Sequence, residues 1–137
     1  MGCENNNNTN NLSCQCLHDL LSDILSLQCE DFKCCNISGC DRPFLGPDTN
    51  QVCYNTRPIS FYNCTTGELW DIDFVFDGDA SSSTIFRIES IEDCCCTCRI
   101  LIQNTDGTYT ATNQFFTINL DCVSAVRCWP DTFVSVC

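Results

Sequence analysis

Leu17, Leu20, Leu21, Ile24 and Leu25 recur at i, i+3, i+4, i+7 and i+8, the stripe that one face of an amphipathic helix presents. The spacing predicts a helix over residues 14–29, with Ser13 as its N-cap and with Asp19 and Asp23 on the polar side. The stripe reads as core packing. From residue 51 the period shortens to two. Gln51–Asn63 is rich in strand formers, with Pro58 marking an edge or a bulge. In LWDIDFVFD, Trp70, Ile72, Phe74 and Phe76 face one way, and Asp71, Asp73, Val75 and Asp77 the other. Gly78–Ser83 reads as a polar loop. TIFRIESI and Cys96–Gln103 read as strands. Asn104–Gly107 reads as a hairpin turn, its Asp-Gly pair supplying positive φ, with Thr108–Thr112 returning. Gln114–Cys122 puts Phe116, Ile118 and Leu120 on one face, and Val123–Val136 adds one or two short strands.

The expected fold is therefore mainly β: a single β-sandwich or jelly-roll-like domain over residues 30–137, preceded by the helix and by an Asn-rich, disordered arm over residues 1–13. Residues 30–50, punctuated by Gly39, Pro43, Gly46 and Pro47, read as loop.

Composition changes this picture in one respect. The chain has 137 residues and 16 cysteines, a density typical of a disulfide or metal scaffold. Such scaffolds are usually too short to build a core, yet this chain is 44% hydrophobic and carries nine Phe. Many of the cysteines are thus in excess of what the fold needs. The net charge of −12 repels a phosphate backbone and an anionic membrane surface, so neither nucleic acid nor membrane is an expected partner. The start, MGCENNNNTNN, has neither the basic nor the apolar region of a secretory signal, and no apolar run approaches a membrane span. Thiols made in the cytosol stay reduced. The cysteines must then bind metal or meet oxidising conditions later, without export.

The thiol-rich run EDCCCTCR, Glu92–Arg99, sharpens the choice. His18, the one histidine, reads as a partly exposed helix residue, and no nucleophile elbow, zinc-protease motif or phosphate loop is present; no catalytic residue and no cofactor is expected. The nearest approach to a C-x2-C metal pair is Cys95 and Cys98, which a strand would turn to opposite faces, so no metal is expected either. A redox pair belongs at a helix N-terminus, whereas this run leads into a strand. Alternation places Cys94, Cys96 and Cys98 on one face with Ile100 and Ile102, and Cys95 on the other with Thr97 and Arg99. Disulfide cross-linking remains. Thiols on mobile segments reach neighbours most readily, which makes Cys3, Cys14, Cys16 and Cys137 candidates for intersubunit bonds, with Cys95 added for its outward face. Cysteines inside strands are expected to be intrachain or buried, and edge strands near Pro58 or the C-terminus are candidates for pairing between subunits.

The blocks CNISGCDRPFLG (35–46), NTRPI (55–59), IFRIESIEDC (85–94) and INLDCVSAVRC (118–128) together resemble the spore coat protein Y/Z family of bacilli, which includes exosporium basal-layer and outer-crust proteins. The resemblance implies a structural role rather than an enzymatic one. It implies synthesis in the mother-cell cytoplasm and a final place on the spore surface, in the exosporium, outer coat or crust. It also implies self-assembly, as a homo-oligomer such as a hexameric ring, into a disulfide-hardened two-dimensional layer with other coat or exosporium proteins. On this resemblance Cys35, Cys40, Cys94, Cys98, Cys122 and Cys128 are family-type cysteines; with Cys96 they form the intrachain or buried set. The competing readings are an adaptor for a spore-surface appendage or nap protein that forms no lattice of its own, and a cysteine-rich metal-binding module.

Overall fold

The computed structural model describes residues 12–30 and 54–136. Helix α1 spans Gln15–Glu30. Leu21, Ile24 and Leu25 are buried as the stripe predicts, but Leu20 is exposed. The buried face includes three polar residues that the apolar pattern hid: His18, Ser22 and Gln28. His18 is therefore a core residue, not a partly exposed one. Nor does the Ser13 hydroxyl cap the helix: it donates to Asp121 Oδ1 at 2.5 Å. The first turn is closed instead by Gln15, whose N–H donates to Leu12 O and whose Oε1 accepts from Leu12 N–H.

Seven strands follow among the described residues: β1 (Ile59–Asn63), β2 (Ile72–Phe76), β3 (Asp79–Ser83), β4 (Phe86–Glu92), β5 (Cys95–Gln103), β6 (Tyr109–Asn119) and β7 (Val123–Cys128). The architecture is mainly β with an N-terminal helix and two sheets, as expected. The larger sheet is antiparallel, in the order β6-β5-β4-β1-β7, and the smaller is the β2–β3 hairpin. Three local readings change. Asp79–Ser83 is a strand and not a loop: Asp77 and Gly78, at φ 51° and 81°, make a two-residue turn that pairs Phe76 with Asp79. Thr108–Thr112 and Gln114–Cys122 join into the single strand β6, ended by a 3-10 turn at Leu120–Cys122. Pro58 marks no edge. It immediately precedes β1, an internal strand, where its carbonyl accepts from Trp129 N–H.

The larger sheet is rolled. β6 and β7 are its two opposite edges, yet only Leu120–Cys122 separates them, so the edges must approach each other. The roll begins where β1 leaves β4, since only Ile59↔Phe86 is in register between them. Beyond Phe86 that side of β4 has no neighbouring strand among the described residues, and α1 takes the place. Gln28 Nε2 donates to Ile88 O at 2.9 Å, and His18 Nδ1 donates to Asp93 O at 2.7 Å. Cys14 is disulfide-bonded to Cys94. From residue 14 to 28 a helix advances about 21 Å; from 88 to 94 a strand advances about 20 Å. Helix and strand are matched in length and run antiparallel.

Inside the roll, Leu21 and Ile24 from the helix meet Phe61, Phe86, Ile88, Cys96, Cys98, Ile118 and Leu120, with Phe74 of the hairpin packed among them. A smaller cluster of Ile85, Leu101 and Val134 sits under the C-terminal segment. The Asn55 side chain holds that segment like a strand partner, donating to Val134 O and accepting from Val134 N–H.

Candidate functional site: the cysteine corner

One corner of the fold collects thiols from four segments. The start of α1 brings Cys14 and Cys16, the β4–β5 turn brings Cys94 and Cys95, the residue after β1 is Cys64, and the 3-10 turn ends in Cys122. Backbone hydrogen bonds assemble it. Leu120 N–H donates to Cys94 O at 2.8 Å, and Cys64 N–H donates to Cys122 O at 3.0 Å. The Asp93–Cys94 turn is tight, with Asp93 at φ 50° and Glu92 paired with Cys95. At the centre lies the Cys14–Cys94 disulfide, with Cα atoms 5.8 Å apart. Asp121 adjoins it: a carboxylate oxygen of Asp121 and the sulfurs of Cys14 and Cys94 lie within 4.8 Å of one another. Around this centre, Cys16, Cys64, Cys95 and Cys122 are free and exposed.

The alternation read from EDCCCTCR holds for Cys95, Cys96 and Cys98. Cys95 faces solvent, while Cys96 and Cys98 are fully buried with their sulfurs 3.6 Å apart and unbonded. Burial, reinforced by the neighbouring Cys96 thiol, pushes the Cys98 thiol well above the ordinary thiol range. These two thiols are inert filling for the core. Cys94 is half-buried and sits in the turn before the strand.

Three of the sequence expectations change. Cys14 is not a free thiol on a reaching arm: its sulfur is bonded within the chain to Cys94, because the helix start is packed against the β4–β5 turn. Cys122 and Cys128, expected to be intrachain or buried, are free and exposed. Cys128 ends β7, an edge strand most of whose side chains face solvent, and Cys122 ends the 3-10 turn before it, in which only Leu120 is buried. Cys128 lies away from the corner, opposite Ile59. Partial burial raises its thiol pKa, against the opposing effect of the Arg57 guanidinium. Cys64, which sequence reasoning passed over, belongs to the corner; nothing local marks it, because its place depends on β1 meeting the turn before β7. Cys29 in α1 is also disulfide-bonded. Cys3, Cys35, Cys40 and Cys137 lie outside the described residues.

Two of the quoted sequence blocks meet in space. Arg87, from IFRIES, donates from Nε to Thr56 Oγ1 at 2.8 Å and from Nη2 to Asn55 O at 3.1 Å, both in NTRP. Its Nη1 pairs with Glu89 at 2.8 Å, and Glu89 Oε1 also accepts from Arg99 Nε at 2.8 Å. Arg99 continues to Thr112 O and stacks 4.6 Å above the Phe115 ring. Arg57 clamps Asp131 with two hydrogen bonds, which holds Asp131 below the usual carboxylate range. The Arg87–Glu89–Arg99 network is thus a nearly dry ionic joint that locks the segment before β1 onto the sheet, while the more exposed Arg57–Asp131 pair ties that segment to the C-terminal one.

No helix among the described residues is long and apolar enough to cross a membrane. No curated protein and no solved structure matches the chain. The spore coat protein Z family matches residues 1–113, which takes in the Cys14–Cys94 bond and the Arg87–Glu89–Arg99 network. The chain therefore belongs to the spore coat protein Z family, structural proteins of the spore surface.

Proposed function

We propose that this protein is a self-assembling tile of the spore surface, in the exosporium or the outer coat, whose copies associate and are then locked by intersubunit disulfides into a two-dimensional layer. The observation that carries this reading is the partition of the thiols. Cys16, Cys64, Cys95 and Cys122 crowd the surface of one corner, while Cys96 and Cys98 are sealed in the core. An internal disulfide and a buried ionic joint already hold the fold, so the surface thiols are spare. A hexameric ring is the proposed unit, with Cys3 and Cys137 joining Cys16 and Cys95 as link candidates. Reversible contacts let misplaced copies leave before oxidation; each later bond then traps the assembled state.

The test is to oxidise the reduced, purified chain, and to follow it by non-reducing electrophoresis and electron microscopy. A reductant-sensitive ladder accompanied by an ordered array is expected. Serine at positions 3, 16, 95 and 137 should thin the ladder and leave the fold intact, and adding serine at the remaining exposed thiols, 64, 122 and 128, should abolish it. A chain that stays monomeric under oxidation overturns the proposal.

A further inference from the structure

We propose that, when the Cys14–Cys94 bond is reduced, the two thiolates and the Asp121 carboxylate form a zinc(II) site. The ligand set is assembled by the fold: its members come from the helix start, the β4–β5 turn and the 3-10 turn, so no C-x2-C spacing announces it.

Donor chemistry favours zinc. Two thiolates and one carboxylate match its borderline-soft character, and three protein ligands with a fourth position left to water is a coordination zinc adopts. The geometry needs little change. Tetrahedral zinc with Zn–S bonds of about 2.3 Å places two sulfurs about 3.7 Å apart. The Cα atoms of Cys14 and Cys94 are 5.8 Å apart, so side-chain rotation alone opens that gap once the bond is broken. The carboxylate already lies within 4.8 Å of both sulfurs. It is aimed by Ser13, whose hydroxyl donates to Oδ1 at 2.5 Å and lies 4.0 Å from Cys94 Sγ. Such an outer hydrogen bond is the usual means of orienting a metal-bound carboxylate. The Leu120 N–H···O Cys94 bond fixes the turn carrying Asp121 against the turn carrying Cys94. Cys14 is at the start of α1, where the positive end of the helix favours a thiolate. His18 is not part of the set, because the donors that lie within 4.8 Å of one another are those of Cys14, Cys94 and Asp121 alone. Cys14 is buried, Cys94 half-buried and Asp121 exposed, so the open position faces solvent and the ion can exchange.

The site and the disulfide exclude each other. A small-molecule disulfide converts one to the other by thiol–disulfide exchange. The S–S bond of the small molecule breaks, the Cys14–Cys94 bond forms, two small thiolates leave with the electron pairs, and the zinc ion is released. Zinc thus holds the helix start on the sheet while the protein is reduced, and the covalent bond replaces it on oxidation. The inference is independent of assembly, since it concerns the reduced, uncross-linked chain.

The experiment uses the full chain, reduced and anaerobic, titrated with cobalt(II) as a spectroscopic stand-in and then with zinc against a chromophoric chelator. Thiolate-to-cobalt charge transfer with tetrahedral visible bands is expected. Asp121→Asn, a surface change whose fold is checked by circular dichroism, should weaken one equivalent of metal by at least the ~10–100-fold that outer-shell partners alone are worth. Ser13→Ala should weaken the same equivalent by about 10-fold. Cys14→Ala/Cys94→Ala should abolish it. Glutathione disulfide should release that equivalent as the Cys14–Cys94 peptide pair appears by mass spectrometry. Absence of bound metal in the parent, affinity unchanged in Asp121→Asn, or zinc retained after the disulfide has formed would each overturn the site.

Discussion

Removal of the Cys14–Cys94 bond is the most informative perturbation of the fold, because its cost can be worked from the topology. The bond spans a sequence separation of 80. The loop-entropy relation gives a loss of about 15 cal/mol/K for a loop of that length, or about 4.5 kcal/mol at 25 °C. A chain of 137 residues unfolds with an entropy of about 0.29 kcal/mol/K at ~2.1 cal/mol/K per residue. The Tm should therefore fall by about 15 °C in the oxidised protein. Cys14→Ala/Cys94→Ala is the suitable variant, since Cys14 is buried and a serine hydroxyl there would add the separate cost of an unpaired polar group. Free thiols are first capped with iodoacetamide under native conditions, which leaves the disulfide intact and prevents cross-links during heating. Unfolding is then followed by far-ultraviolet circular dichroism, with peptide mapping of the parent to verify the bond. A shift smaller than about 4 °C, equivalent to ~1 kcal/mol, with the bond present in the parent, would refute the loop-entropy reasoning. It would mean that α1 is restrained in the unfolded chain by something else. Absence of the bond in the oxidised parent would refute the pairing itself.

Glu89→Ala leaves Arg87 and Arg99 without their shared carboxylate in a site where all three side chains are 10–14% exposed, and should cost about 3–5 kcal/mol in urea denaturation; Glu89→Gln, which keeps an acceptor oxygen, should cost less, and equal losses would argue against a charge effect. In a native alkylation time course read by mass spectrometry, Cys16, Cys64, Cys95 and Cys122 should be modified while Cys96 and Cys98 remain protected until global unfolding; early labelling of Cys98 would refute its burial. The raised pKa of Cys128 leaves less thiolate at neutral pH, so its labelling rate should still be climbing above the ordinary thiol range near ~8.5, and a plateau at or below that value would contradict the desolvation argument. Because the folded pKa of Asp131 is depressed by Arg57, the clamp's stabilisation is fully present above the usual carboxylate range and is lost as pH falls through the lowered value. The acid limb of a stability–pH profile should therefore flatten in Asp131→Asn.

What the chain reveals locally proved legible. The period of 3.6 in Leu21, Ile24 and Leu25 and the period of two in Ile72, Phe74 and Phe76 specify the helix and a half-buried strand, because side-chain direction repeats with the backbone. The same rule separated Cys95 from Cys96 and Cys98. It could not say that Gly78–Ser83 contains a strand, since Ala80–Ser83 has no apolar face to display. Nor could it assign Cys14, Cys64, Cys122 or Cys128. Their states depend on contacts between distant segments: β1 leaving β4 after Phe86, α1 filling the vacated side, and the sheet rolling until its two edges are three residues apart. Those events bring Ser13, Cys14, Cys94 and Asp121 together across more than 100 positions of sequence. The chain by itself determined that there would be a helix, a set of antiparallel strands and a surplus of thiols. Only the tertiary structure decided which thiols are bonded, buried or exposed, because that depends on what packs over each strand and not on the strand's own pattern.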